Sequence, residues 1–321
     1  MQDSLFLKPK DYSIKRLEFH LVQKCVCSCV FCSEQTRMNA FKNDEFSYEE
    51  AVEILIKFAE EGVKHLNVTG GEPTLFPQLP QLLNKAKSLG YTTYMATNGV
   101  KTKSTDYFVK IAPSLDELCL SVHAADAKTH DSLTGLAGSF DGLMKTLDNA
   151  QKYCDITKMK LFFNSVASRR NAEDVWKVVN LAAERGAAGC LISSLAPEGE
   201  GLKNYRNLAL RFADWPLTAD KCVKALGKAS ASLRFFSVPT CLLGEHRIMS
   251  NDLYFDPRIT VERIALPNGE KGTAVFRSFK AARGRVLAAA CQGCRYNKTC
   301  MGAFAEHLKT FPEDERLLKP L

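Results

Sequence analysis

This sequence has little that would place it in a membrane or outside the cell. No apolar run in its 321 residues approaches the ~20 residues that span a bilayer as a helix. The stretch from Met1 to Ser13 has no apolar centre of the kind a secretory signal carries, so a cytoplasmic location is expected. Low-complexity tracts are missing too, and 45% apolar with 25% charged residues is the make-up of an ordinary globular chain. Charge of one sign is not concentrated. The balance of 43 − 36 = +7 is spread along the sequence, and the one mildly basic stretch (Arg277, Lys280, Arg283, Arg285) reads as a solvated face, so nucleic acid is not an expected partner. Cysteine, by contrast, is abundant. Twelve thiols clustered at metal-like spacings, in a long chain without a signal, point to metal or redox chemistry rather than disulfides.

The densest cluster is Cys25-Val26-Cys27-Ser28-Cys29-Val30-Phe31-Cys32. Taken as Cys25, Cys29 and Cys32, it is a C-x3-C-x2-C spacing. Three thiolates on a short loop hold three corners of a cubane iron–sulfur cluster and leave the fourth iron open to a ligand, which is the arrangement of a catalytic metal site. Zinc fits this triplet poorly, since it favours paired ligands with a second pair at a distance. The motif resembles the signature of the radical S-adenosylmethionine (radical SAM) enzymes; Cys27 lies outside that spacing and reads as a spectator.

Along the chain, β-rich and helix-periodic stretches alternate. Strands are expected over 17–22, 65–69, 92–96, 115–122, 159–166 and 189–194. Helices are expected from Ser47, with Glu50 at the capping-box position, to Glu61, and then over 79–89, 105–111, 140–153, 172–185 and 219–231. Six alternations make a parallel α/β sheet, and because they stop near Ala231 they favour a partial (β/α)6 barrel, which is also the fold the resemblance implies. The expected division is a barrel over 1–235 and a cysteine-rich C-terminal unit over 236–321.

Chemistry in such folds sits at the C-terminal ends of the strands. There lies Gly70-Gly71-Glu72-Pro73, which resembles the family's GGEP element; the resemblance implies contact with the amino group of the SAM methionine, with Glu72 supplying negative charge. Thr97-Asn98-Gly99 resembles its T-N-G element, with Thr97 near the methionine carboxylate or the sugar. Ser121 and Asn164 match polar SAM-contacting positions, beside Ser165. His123 departs from the family pattern. Pro197-Glu198-Gly199 resembles a loop that packs near the adenine, while Glu198 and Glu200 themselves read rather as solvated turn residues. Cys119, Cys154, Cys190 and Cys222 read as small buried hydrophobes.

Past Ala231 the rhythm changes to an apolar stretch over 233–238 and a hairpin-like stretch over 251–276 with Pro267-Asn268-Gly269 as its turn. Cys291-x2-Cys294-x5-Cys300 follows, and with Cys241 it makes a closed set of four ligands. That set suits zinc as well as iron–sulfur. The tail resembles the SPASM or twitch extensions of this superfamily, although position 304, where the longer type has a cysteine, is Phe304. The resemblance implies an auxiliary [4Fe-4S] cluster on Cys241, Cys291, Cys294 and Cys300.

The resemblance as a whole implies an oxidoreductase or maturase-type enzyme. A [4Fe-4S] cluster reduced by a reductase with flavodoxin or ferredoxin splits SAM to a 5′-deoxyadenosyl radical, which takes hydrogen from a ribosomal peptide or a small metabolite. Only 24 residues precede Cys25, so a peptide substrate is expected to need a helper protein or recognition through the tail. Tyr205, Arg206 and Arg211 are candidates for a substrate's acidic groups or for a plain helix exterior. The alternatives are a non-catalytic iron–sulfur scaffold and an enzyme whose tail holds structural zinc.

Overall fold

The computed structural model describes residues 14–153, 158–266 and 270–321. Seven parallel strands lie side by side in sequence order: β1 (Arg16–Val22), β2 (His65–Gly70), β3 (Thr92–Thr97), β4 (Glu117–Ser121), β5 (Lys160–Ala167), β6 (Gly189–Ser194) and β7 (Ser232–Phe236). Beyond β1 the sheet continues through β8 (Arg258–Ala265), parallel to β1, and ends at β9 (Lys271–Ser278), antiparallel to β8. A short pair, β10 (Arg285–Val286) and β11 (Ala303–Phe304), brackets the last three cysteines.

The strands read as they pack. In β1, Leu17, Phe19 and Leu21 are fully buried in the main core while Glu18 and His20 alternate with them on the other face. Phe19 meets Phe46 edge-on at 4.9 Å, just ahead of α2 (Tyr48–Glu60), which shares that core through Ala51, Leu55 and Phe58. Both halves of the expected capping box are made: Ser47 Oγ accepts from the Glu50 N–H at 3.1 Å, and Glu50 accepts from the Ser47 N–H at 2.7 Å.

The six expected units are present, and four differences stand out. The stretch over 233–238 forms β7, a seventh parallel strand against β6, so the alternation runs one strand past Ala231. The expected boundary at 235/236 therefore falls inside a paired strand. The helix expected over 219–231 covers Trp215–Leu226 and stops where Gly227 turns to a φ of 57°, a backbone state that costs glycine little. Several helices were not anticipated, among them one over Gln35–Phe41, one, α5 below, over Ala127–Thr134, and the short ones over Gly199–Lys203, Tyr205–Leu208 and Ala305–Thr310. The C-terminal hairpin is real, but its first strand joins the main sheet; the turn at Pro267-Asn268-Gly269, like Cys154, lies outside the described residues.

Candidate active site

At the C-terminal ends of the strands a cavity of about 1080 Å³ gathers Cys25, Cys29, Cys32, Gly70, Gly71, Glu72, Thr97, Ser121 and Asn164. The cysteine loop that enters it is held by backbone. Gly71 and Glu72 donate their N–H groups to the carbonyls of Val22 and Lys24, both at 2.7 Å. Ser28 and Val30 donate to Thr134 and Leu133 at the end of α5 (Ala127–Thr134), and the N–H of Glu200 reaches Cys32 O at 2.9 Å. Glycines make these approaches possible. A Cβ on Gly71 would overlap the Lys24 carbonyl, one on Gly135 that of Ser28, and one on Gly199 that of Cys32.

All three motif thiols are free and partly buried. Burial pushes Cys32 up to about 11. A hydrogen bond with the Cys27 thiol raises Cys25 well above the ordinary thiol range, with burial adding to it. Cys27 is buried between its neighbours: its hydrogen bond to Cys25 pulls it down, but that with Cys29 and burial push it up to about 12. It lines the cavity beside the three motif thiols.

Glu72 sits at the end of β2 and is 1% exposed. Its carboxylate accepts from Thr74 Oγ1 and Thr97 Oγ1, each at 2.6 Å, and from the Asn98 N–H at 2.8 Å. Burial pushes its carboxyl above the usual range against these donors. Thr97 thus spends its hydroxyl proton on Glu72, so the two sequence motifs form one hydrogen-bonded unit. Pro73 is buried and opens the short turn behind Glu72. Asn164 accepts from Ser193 Oγ at 3.0 Å, while the fully buried Ser165 hydroxyl has no partner among the described residues. His123 faces the cavity, edge-on to Phe31 at 4.6 Å. Its Nδ1 accepts from the Val166 N–H at 3.2 Å, and burial, with His130 nearby, pulls it down to about 3, so the imidazole is neutral with its proton on Nε2.

Sequence reasoning missed the opposite wall. There His20 lies between Glu34 at 3.2 Å and Glu18 at 3.5 Å; Arg37 bridges Glu34 and Glu262, and Arg258 holds Glu18 at 2.8 Å. The signal was present: Glu18 and His20 are polar residues alternating with leucine and phenylalanine in a strand destined for burial. Glu198 also faces this cavity and pairs with Arg283 at 3.0 Å.

Cys241, Cys291, Cys294 and Cys300 converge on a second, small cavity closed by the last residues of the chain. The N–H groups of Gly302 and Leu321 point at the sulfurs of Cys300 and Cys294, each at 3.4 Å. Cys119, Cys190 and Cys222 are buried singly in strands or helices, as expected. Arg211 meets no open site: it forms a bidentate pair with Asp314, and the buried Tyr205 hydroxyl lies 3.3 Å from His307, so both dock the C-terminal segment. Arg206 stacks over Phe311 in the same segment.

The sequence profile described as the Radical SAM superfamily matches residues 20–182, just over half the chain. A probable GTP 3',8-cyclase of Saccharolobus islandicus is 29% identical over 191 residues, covering 59% of each chain. An AdoMet-dependent heme synthase of Methanosarcina barkeri is 26% identical over 185 residues, 58% of this chain and 52% of that one. The chain thus spans little more than half the length of these relatives. Among solved structures, Streptococcus suis SuiB bound to S-adenosylmethionine is similar with a TM-score of 0.62 at 17% identity, covering 94% of this chain and 75% of that one. anSMEcpe with bound AdoMet gives 0.60 at 14% identity, over 94% and 96%. At those identities the structures speak to the fold, whereas the profile match falls on the cysteine loop and the strand ends just described. The chain belongs to the radical SAM superfamily, enzymes built around a [4Fe-4S] cluster and S-adenosylmethionine.

Proposed function

We propose that Cys25, Cys29 and Cys32 hold the SAM-binding [4Fe-4S] cluster, and that this enzyme oxidises or joins a carbon of a peptide or small metabolite with help from an auxiliary cluster on Cys241, Cys291, Cys294 and Cys300. When bound, the front cluster and SAM supply the 5′-deoxyadenosyl radical that takes hydrogen from the substrate. The observation that carries the reading is the meeting of the three motif thiols with Gly70, Gly71, Ser121 and Asn164 around one cavity. The donor set fits an open cluster: three free thiols on a loop fixed by backbone, with no fourth protein ligand required.

The chain's own residues divide the work. Gly70 and Gly71 let a ligand approach the main chain, and Glu72 locks that turn to the end of β3 through Thr97 and Asn98. Ser121 and Asn164 offer polar groups to a ribose or carboxylate, and Phe31 with neutral His123 makes a wall that carries no charge. The aromatic and aliphatic parts of the lining exclude water from a site that must protect a radical.

The C-x3-C-x2-C spacing of the front thiols supports a cluster over zinc, which favours paired ligands with a second pair at a distance. An electron donor of the flavodoxin or ferredoxin kind completes the scheme. The test is anaerobic: reconstituted protein, SAM and dithionite are mixed and 5′-deoxyadenosine is followed by chromatography. Formation above a Cys29→Ala control is expected, and equal traces from both proteins would sink the reading.

A further inference from the structure

We propose that β9 is a docking edge, on which an extended peptide segment bearing acidic side chains pairs as a further strand and presents alternate residues to the catalytic cavity. This rests on the enzymatic reading above and narrows its substrate to a peptide.

Among the described residues the sheet is open, so each outermost strand keeps one row of backbone groups without a neighbouring strand. The two edges are not alike. At β7, Phe235 already bridges to Ser250, and the 240–254 segment covers that side. β9 pairs with β8 alone among the described residues, over an unbroken register from Lys271 to Ser278. It carries no proline and no bulge, two of the devices by which natural edges refuse a partner. Val275, Phe276 and Phe279 are 41%, 47% and 44% exposed there, a large apolar display for a strand beside a catalytic site.

Position links this edge to the chemistry. Phe276 and Ser278, two residues apart on one face of β9, line the same cavity as the cysteine triad. A strand added alongside repeats that alternation, so every second side chain of the guest faces the cavity. The charge is matched as well. From Lys271 to Arg285 the sequence holds five basic residues and no acidic one. Arg285 is neutralised in the interior by Asp252. Among the described residues, Lys271, Arg277 and Arg283 pair through solvent-exposed basic side chains, which exchange readily, and Lys280 and Arg283 stand at the cavity wall. Acidic side chains on the guest are the complement.

The test uses the full reconstituted chain and fluorescein-labelled peptides of about twelve residues, long enough to cover a strand. One set carries Asp or Glu at alternate positions and one carries Lys or Arg; free glutamate and inorganic triphosphate serve as small anions. Hydrogen–deuterium exchange should slow at alternate amides of 271–278 with the acidic set alone. Thr273→Pro and Ala274→Pro each remove one backbone donor, and because adjacent N–H groups point to opposite sides, one of the two acts on the open edge. That variant should bind acidic peptide about tenfold more weakly while keeping its ladder to β8. Three results would overturn the proposal: unchanged exchange over 271–278 with every peptide, protection by the small anions alone, or self-association of the chain through β9 that either proline abolishes. SAM cleavage without peptide, measured in the same samples, reports on the enzymatic reading separately.

Discussion

Arg285 and Asp252 meet as a bidentate pair, Nη1 to Oδ1 at 2.7 Å and Nη2 to Oδ2 at 2.8 Å, with side chains 0% and 1% exposed. Much of their remaining capacity goes to the loop after the last cysteine. Arg285 donates to Gly302 O at 2.8 Å, and Asp252 accepts from the Met301 N–H at 3.0 Å. Such a pair gains little over apolar packing, but removing one partner leaves a buried charge unmatched.

Asp252→Asn should therefore destabilise the chain by about 3 to 5 kcal/mol in denaturant titration. Arg277→Ala, which breaks an exposed pair with Glu61, should cost less than about 1 kcal/mol. Equal costs would show that the interior pair does not hold the cysteine loop.

Metal counting separates the two readings of the tail. Two cubane clusters give about eight irons per chain, and Cys291→Ser should remove about four of them while the SAM-dependent change in the front cluster's paramagnetic spectrum persists. About four irons with one zinc in the unaltered protein would assign the tail to zinc.

Gly71→Ala should prevent the cysteine loop from seating, because its Cβ would occupy the Lys24 carbonyl and both partners are backbone. The expected result is loss of front-cluster iron with the tail's iron retained. Full loading of both sites would show that the loop can shift at little cost.

The His20 wall makes stability depend on pH. Burial pulls the His20 imidazole down, but hydrogen bonds to Glu18 and Glu34 and their charges hold it up at about 9, with Arg37, Glu262 and Arg258 facing the same cluster. Burial pushes Glu18 up, yet the His20 hydrogen bond and the Arg258 charge bring it to about 2. The folded chain thus binds the His20 proton more tightly than the unfolded one. Its contribution is complete below 6.5 and is lost as pH rises through about 9. Glu18 contributes fully above 4.5 and loses that contribution as pH falls toward about 2. Urea midpoints should plateau between these limits, and His20→Gln should flatten the alkaline limb by about 1 to 3 kcal/mol. An unchanged limb would remove His20 from the account.

Much of this was legible in the sequence, for identifiable reasons. Helix α2 announced itself by a capping box and an apolar stripe, and the strand ends by glycine, proline and asparagine. The helix α5 carried its signals too, Asp126 accepting from the Thr129 N–H and Gly135 in the left-handed region, but His130, Leu133 and Thr134 make too short a buried face for periodicity to register. The helix over Gln35–Phe41 has no side-chain cap at all. β7 was missed because an apolar stretch after a helix says nothing about which strand it will pair with. Cys241 was grouped with the three cysteines that line one small cavity with it although fifty residues separate it from Cys291, whereas Glu18 and His20 were not singled out, since a strand's inward face is defined only once its neighbours are known.

Three separate loops press on the cysteine segment, Gly71 at Lys24, Gly135 at Ser28 and Gly199 at Cys32, four residues apart each time. A segment gripped at such intervals behaves as a keystone: it cannot be exchanged without recutting three stones around it. The β8–β9 hairpin is held differently, by one parallel ladder and by side-chain pairs such as Arg258 with Glu18 and Arg37 with Glu262, and its outer strand β9 meets no such backbone grip. An engineer who wished to redirect this enzyme would therefore vary the outward residues of β9 and the loop behind it, and leave the cysteine segment as it stands.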